Sequence, residues 1–278
     1  MCGALPAVKS KQLKEALDCA VKAASEAGSL MRKNFHSDKK VTEQHQHDIK
    51  LVLDIRCQKA IERVLRASFP QVSVLGEEGT LGDQQAQHRW VVDPIDGTVN
   101  FAYGVPHACV SIALQSRRGE PVSKKPGPLS EEYETLVGVV FDPFCDELWT
   151  AIRGSPARLN GRIIRVSRHS QLQESIVSIG FSKYPHTLNL MLPLLNRLIH
   201  KVRKIRIMGS AALSMTYVAS GRFDAYLEAG IRLWDIAAGG LILECAGGEF
   251  WRRPAPGEHS YRIIANNGLL RRKLQSLS

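Results

Sequence analysis

The chain has 278 residues, 44% of them hydrophobic and 23% charged, an ordinary soluble composition with enough length for a buried core in one large domain or two small ones. No apolar run reaches the ~18 residues of a membrane span, which argues against a membrane protein. The net charge of +10 invites acidic partners such as phosphates, nucleic acid or a membrane surface, but Lys and Arg are spread thinly. The densest basic groups, His200 to Arg206 and Arg271 to Lys273, carry no aromatic-interleaved nucleic-acid pattern and read as solvated surface.

Residues 11–35 place Leu13, Leu17, Ala20, Ala24, Ala27 and Met31 at helical spacing. Gln58 to Ser68 reads as a second helix, closed by Pro70. Val72 to Leu75 is a short strand delivering Gly76-Glu77-Glu78-Gly79, and His88 to Val92 is another. A third strand covers Cys109 to Gln115, followed by a polar insertion over 117–131 with three prolines. Leu136 to Phe141 and Glu147 to Ile152 pair around Asp142-Pro143, and Asn160-Gly161 marks a tight turn between two further strands. Helices are expected over Leu188 to Val202, Ala211 to Ser220 and Trp234 to Cys245, the last with Asp235 in its first turn. Helices and strands mix without strict βαβ alternation, which favours a layered α+β fold over a dinucleotide-binding one. The chain is read as one domain over residues 1–278, with two α/β sub-layers meeting near 150–160.

The N-terminal MCGALPAVKSKQ has no apolar core of a secretory leader, and its glycine is Gly3, so the myristoylation pattern is missing too. Six cysteines without a C-x-x-C pair argue against a zinc site and a disulfide framework. A reducing, cytoplasmic location is therefore expected.

The chemistry concentrates in WVVDPIDGTVNF, Trp90 to Phe101, where Asp93 and Asp96 follow an apolar strand. Pro94 keeps Asp93 extended and starts a turn at Ile95, which brings both carboxylates to one side. Gly97 lets a ligand approach the backbone, and the N–H groups of Gly97 and Thr98 are placed to face an anion. Carboxylates beside anion-binding amides are consistent when divalent cations lie between, and an all-oxygen set suits Mg²⁺. Taken alone, Asp-Pro-x-Asp-Gly is equally a simple turn. Glu77 and Glu78 after one strand, and Asp235 at a helix start, add acids in the same style, although an exposed loop and a first-turn acid account for each singly. His45-Gln-His47 is not carried as a metal pair, and Glu244, in an apolar helix, is read as structural.

Together, Leu75-Gly-Glu-Glu78, Trp90 to Phe101 and Trp234-Asp-Ile-Ala-Ala-Gly239 resemble the three signatures of the inositol monophosphatase family, in matching order and spacing over about residues 11–273. The resemblance implies a Mg²⁺-dependent, lithium-sensitive phosphatase of the layered sugar-phosphatase fold, usually a homodimer. It implies two or three Mg²⁺ per site. Glu77, Asp93 and the Ile95 carbonyl would hold one, and Asp93, Asp96 and Asp235 a second. Two metals roughly 3.5–4 Å apart can clamp the attacking and leaving oxygens of an in-line displacement. Thr98 and Glu77 would position the attacking water, and Asp54 matches the aspartate the family pairs with that threonine. The segment Asp48-Ile-Lys-Leu-Val-Leu-Asp54 lacks the family's threonine, which puts a third metal in doubt, and Asp54 is also placed to cap the helix expected from Gln58.

Val99-Asn100-Phe101, Gly209-Ser-Ala-Ala212 and Tyr226-Leu-Glu228 resemble the inositol-specific branch. On that basis Asp96, Gly97, Thr98, Ala211, Glu228 and Asp235 form the substrate set, with Glu228 accepting bonds from hydroxyls, unless it is a surface carboxylate in a loop. Phe181-Ser182 matches a substrate-contacting serine only loosely. The expected substrate is myo-inositol monophosphate. Fructose 1,6-bisphosphate, histidinol phosphate or a nucleotide 3′-phosphate is the alternative of the same chemistry, and a basic RNA- or protein-binding factor the alternative of another class.

Overall fold

The computed structural model describes residues 10–38, 41–45, 48–118, 132–181 and 184–277, with the backbone alone for residues 41–50. In chain order the elements are α1 (Ser10–Asn34), β1 (Val41–His45), β2 (Asp48–Leu51), α2 (Val52–Ser68), β3 (Ser73–Gly76), β4 (Gly79–Leu81), β5 (His88–Asp96) and α3 (Thr98–Ala102). Then come β6 (Cys109–Arg117), β7 (Tyr133–Asp142), β8 (Glu147–Ile152), β9 (Arg158–Leu159), β10 (Arg162–Ile163) and β11 (Ile176–Ile179). The chain continues with α4 (Pro185–Ile199), β12 (Lys204–Arg206), α5 (Ala211–Ala219), β13 (Ala225–Arg232), α6 (Leu233–Cys245), β14 (Glu249–Pro254), β15 (Ser260–Asn266) and α7 (Arg271–Gln275).

Two sheets organise the molecule. The first has eight strands in the order β10-β9-β8-β7-β6-β5-β3-β4, and the second five in the order β12-β11-β13-β15-β14. Alternation along the first sheet decides what covers each face. Trp90 and Val92 of β5 and Val110 and Ile112 of β6 bury against α1 and α2. Val91 and Ala113, between them, bury against α5 and α6. Helix α6 is apolar all round, the pattern of a helix enclosed on every side. It touches β5 to β8 of one sheet and β13 to β15 of the other. The far face of the second sheet packs Val177, Leu227 and Ile264 under α4 and α7 through Met191, Leu194 and Leu274. The result is a helix-sheet-helix-sheet-helix stack, the layered α/β fold expected.

The middle layer is tight. A Cβ on Gly138 of β7 would lie 2.8 Å from the Ala238 carbonyl oxygen of α6. That approach is possible only where one partner has no side chain.

Two expectations are corrected. The second helix starts at Val52 rather than Gln58, so Asp54 lies inside its first turn. The helix expected over 188–202 begins at Pro185 and ends at Ile199, because proline at the first position presets the helical φ. Glu228 lies in β13, which sets aside the loop alternative weighed for it. The five described cysteines are all free, and no helix among the described residues is long and apolar enough to cross a membrane. The prolines of the 117–131 insertion, the residues Gln46 and His47, and Ser182 lie outside the described residues.

Candidate functional site

The backbone register brings the acids together. Strands β3 and β5 run parallel with Gly76 opposite Val92, so the next residue of each, Glu77 and Asp93, emerges at the same level. The Glu77 N–H closes the step by donating to the Val92 carbonyl at 3.1 Å. Gln58 of α2 pins the turn that follows, accepting from the Glu78 N–H at 2.9 Å and donating to the Gly79 carbonyl at 3.0 Å.

Asp93 and Asp96 are three residues apart, and in a regular strand they would face opposite sides. A bulge corrects this. Asp93 pairs with Ser111 and Asp96 with Cys109, so three steps on β5 match two on β6. The extra residue restores both carboxylates to one face. Asp93 Oδ1 accepts the Ile95 N–H at 3.0 Å, and Pro94 brings no donor to orphan. Thr98 Oγ1 donates to the Ile95 carbonyl at 2.8 Å. Gly97 then turns the chain into α3 at φ 94°, and a Cβ there would meet the His107 carbonyl at 2.9 Å. Asn100 holds this corner to the rest of the cleft, donating to the carbonyls of His107 at 2.9 Å and Met208 at 2.8 Å.

Asp235 arrives from the first turn of α6, where its Oδ2 accepts the Arg232 N–H at 2.9 Å. Ser111 of β6 ties that helix start down by donating to the Trp234 carbonyl at 3.1 Å. Carboxylate oxygens of Asp93, Asp96 and Asp235 lie within 4.8 Å of one another. They line a cleft of about 330 Å³ shared with Glu77, Thr98, Ala211 and Glu228.

Electrostatics make this arrangement costly without cations. Burial, then the charges of Glu77, Asp96 and Asp235, pushes the Asp93 carboxyl well above the usual range, and it shares a hydrogen bond with Glu77. Burial and the charges of Asp96 and Glu77 do the same to Asp235. Burial raises Asp96 as well, but hydrogen bonds from Ser210, Ala212 and Ala211 pull it back down. An all-oxygen set of crowded carboxylates, with Asp93 and Asp96 buried and Asp235 half-buried, is a donor set for hard divalent cations, which would remove the mutual repulsion.

At the other side of the cleft, Glu228 of β13 is half-buried and accepts the Tyr226 hydroxyl. Burial drives its carboxyl up to about 7, with the tyrosine hydroxyl opposing. Gly180 makes room for it, since a Cβ there would collide with the carboxylate.

Not every expected residue faces the cleft in the same way. The Ala211 N–H is turned to Asp96 Oδ1 at 3.3 Å. Asp54 is buried in the first turn of α2, where Oδ2 accepts the Leu51 N–H at 2.6 Å, and it is not among the residues lining the cleft. Glu244 makes an ion pair with Arg153 at 3.0 Å on the surface, a structural role as expected. Sequence reasoning held Ser210 only inside the Gly209-Ser-Ala-Ala212 resemblance and Cys109 only as a free cysteine opening a strand, and tied neither to Asp96. Both contact Asp96, through Ser210 Oγ at 2.5 Å and Cys109 Sγ at 3.7 Å. A serine directly before the apolar run of α5 is an N-cap signal that was available for the first. No sequence signal marks the second.

The model of the family described as "Inositol monophosphatase family" matches residues 12–123 and 128–276. A protein of Xylella fastidiosa named "Nus factor SuhB" is 38% identical over 277 residues, spanning 95% of this chain and 94% of that one. "Inositol monophosphatase 1" of Solanum lycopersicum is 36% identical over 269 residues, 93% of each chain. Among solved structures, the extragenic suppressor protein suhB of Bartonella henselae superposes with a TM-score of 0.84 at 32% identity, over 95% of this chain and 98% of that one. The inositol monophosphatase of Anabaena gives 0.78 at 33% identity, over 95% of both chains.

Proposed function

The chain belongs to the inositol monophosphatase family and is a phosphatase, and from that premise we propose that it hydrolyses a small polyol phosphate, myo-inositol monophosphate first, with Mg²⁺. The observation that carries the reading is the two-ended cleft. Asp93, Asp96 and Asp235 cluster at one end, and Glu228 is held by Tyr226 at the other. A phosphate suits the first end once cations are bound, and a hydroxyl-bearing ring suits the second.

Glu77, Asp93, the Ile95 carbonyl, Asp96 and Asp235 are assigned as the cation ligands. Bound divalent cations supply Lewis acidity toward phosphoryl oxygens and lower the pKa of water. Glu77 is assigned to take the proton from the attacking water. Thr98 orients that water, and its bond to the Ile95 carbonyl fixes the hydroxyl's direction. The first N–H groups of α3 have no partner within the helix and are assigned to the phosphate oxygens. Glu228 accepts from substrate hydroxyls and sets orientation.

The test is phosphate release from a panel of inositol monophosphates, fructose 1,6-bisphosphate, histidinol phosphate and nucleotide 3′-phosphates, with and without Mg²⁺. Inositol monophosphate should lead by kcat/KM, and a preference for another member would replace the substrate while keeping the chemistry. A second reading, RNA or protein binding on the same fold, draws on the net charge of +10 and on relatives named as Nus factors. Salt-dependent RNA binding that survives Asp93→Asn would favour it.

A further inference from the structure

Three donors converge on one oxygen of Asp96. Ser210 Oγ lies 2.5 Å from Oδ2, the Ala212 N–H 2.8 Å, and Cys109 Sγ 3.7 Å. The proton count fixes the direction of each bond. Ser210 Oγ already accepts the Leu213 N–H at 3.3 Å as the N-cap of α5. Its single proton is therefore free to go to Asp96 Oδ2. Cys109 Sγ is also 3.8 Å from Ser210 Oγ. A thiol carries one proton, so Cys109 can donate to either member of this pair. Among the described residues, Oδ1 receives only the long contact from the Ala211 N–H, at 3.3 Å.

We propose that Ser210, backed by the Cys109 thiol, is a positioning residue for the phosphatase reaction: it commits Asp96 Oδ2 to the protein and leaves Oδ1 as the single oxygen offered to a cation. The inference rests on the reading that the acidic cluster holds divalent cations. The same serine thus joins two jobs, since the cap that starts α5 also sets the rotamer of Asp96. Removing the hydroxyl frees the carboxylate to rotate, and outer partners of this kind are typically worth about 10- to 100-fold in metal affinity. The thiol, a weaker donor, should matter less.

The experiment is Mn²⁺ binding to the substrate-free protein, followed by the loss of the free-ion signal in electron paramagnetic resonance. Thermal melts in EDTA run alongside. Ser210→Ala should weaken Mn²⁺ by about 10- to 100-fold, and Ser210→Thr should restore it. Ser210→Gly separates the two jobs, because glycine is tolerated at an N-cap far better than alanine while it too removes the donor. It should lose affinity as the alanine variant does, with a near-parental melting point. Cys109→Ala should weaken Mn²⁺ by less than the serine variants. Parental affinity, within twofold, in both Ser210→Ala and Ser210→Gly would overturn the positioning role and leave the cation reading standing. Absence of Mn²⁺ binding by the parent protein would overturn both.

Discussion

Glu228→Gln should make the metal-free protein more stable at alkaline pH, and the structure sets the size of the gain. Burial raises the Glu228 carboxyl from its ordinary 4.5 to about 7, against the Tyr226 hydrogen bond. A folded-state pKa above the unfolded one means the folded protein holds the proton more tightly. The stability this contributes is complete below about 4.5 and is lost as pH rises through about 7. At about 1.36 kcal/mol per pH unit, the ionised carboxylate costs about 3 kcal/mol at pH 8 and less than about 1 kcal/mol at pH 5. Glutamine removes the ionisation and keeps a neutral acceptor for the Tyr226 hydroxyl. In a chain of this size each kcal/mol moves the melting point by roughly 2–4 °C, so the variant should melt roughly 6–12 °C above the parent at pH 8. At pH 5 the gap should shrink to roughly 2–3 °C. Paired thermal melts in EDTA at the two pH values measure the difference, which cancels the titration of the other acids. A variant that is less stable than the parent by the same amount at both pH values would refute the reasoning. Glu228 would then be ionised without penalty, its bond to Tyr226 simply stabilising.

Asp93→Asn should abolish turnover and, in EDTA near neutral pH, hold or raise the melting point. It removes a buried charge that Glu77, Asp96 and Asp235 all oppose, and near-parental activity would sink the cation assignment. Turnover should require Mg²⁺ and vanish in excess EDTA, with Ca²⁺ failing to replace it and Li⁺ inhibiting as the family resemblance implies; phosphate release under each condition decides. Glu228→Gln should raise KM more than it lowers kcat, by roughly 10- to 150-fold for a lost charged hydrogen bond of about 1.5–3 kcal/mol. Thr98→Ala should instead lower kcat by roughly 10²–10⁴-fold with little change in KM, and steady-state kinetics showing the reverse split would exchange the two roles.

What the sequence made legible was local. Trp90 to Phe101 and Trp234 to Gly239 are unbroken runs in which residue identity, turn chemistry and spacing coincide, and the acids of both gather in one cleft. The second sheet was mostly invisible. Strand β11 is four residues, with three fully buried and no polar alternation to betray it, and β14 carries Arg252-Arg253-Pro254. Strands that pair with distant segments have no local signature, so β13 went unread and a loop stayed open as the alternative for Glu228. The start of α2 was missed because Val52 and Leu53 are not strong helix-start signals, and the acid that helps begin it, Asp54, was claimed for a motif. The bulge in β5 could not be read either, since it exists only relative to β6.

The close seat of α6 on β7 has a mechanical meaning. Asp93 and Asp96 belong to a strand of the first sheet, whereas Asp235 rides on α6. The spacing among the three carboxylates is thus a spacing between layers, calibrated where Gly138 admits the backbone at Ala238. A methyl group at Gly138 would have to push the helix outward, because what it meets is backbone and not a side chain that can swing aside. The displacement would travel along a rigid helix to its first turn and pull Asp235 away from its two partners. Gly138→Ala would then behave as a cation-affinity mutation made from outside the cleft, weakening metal binding through the close fit of two backbones in the middle of the stack.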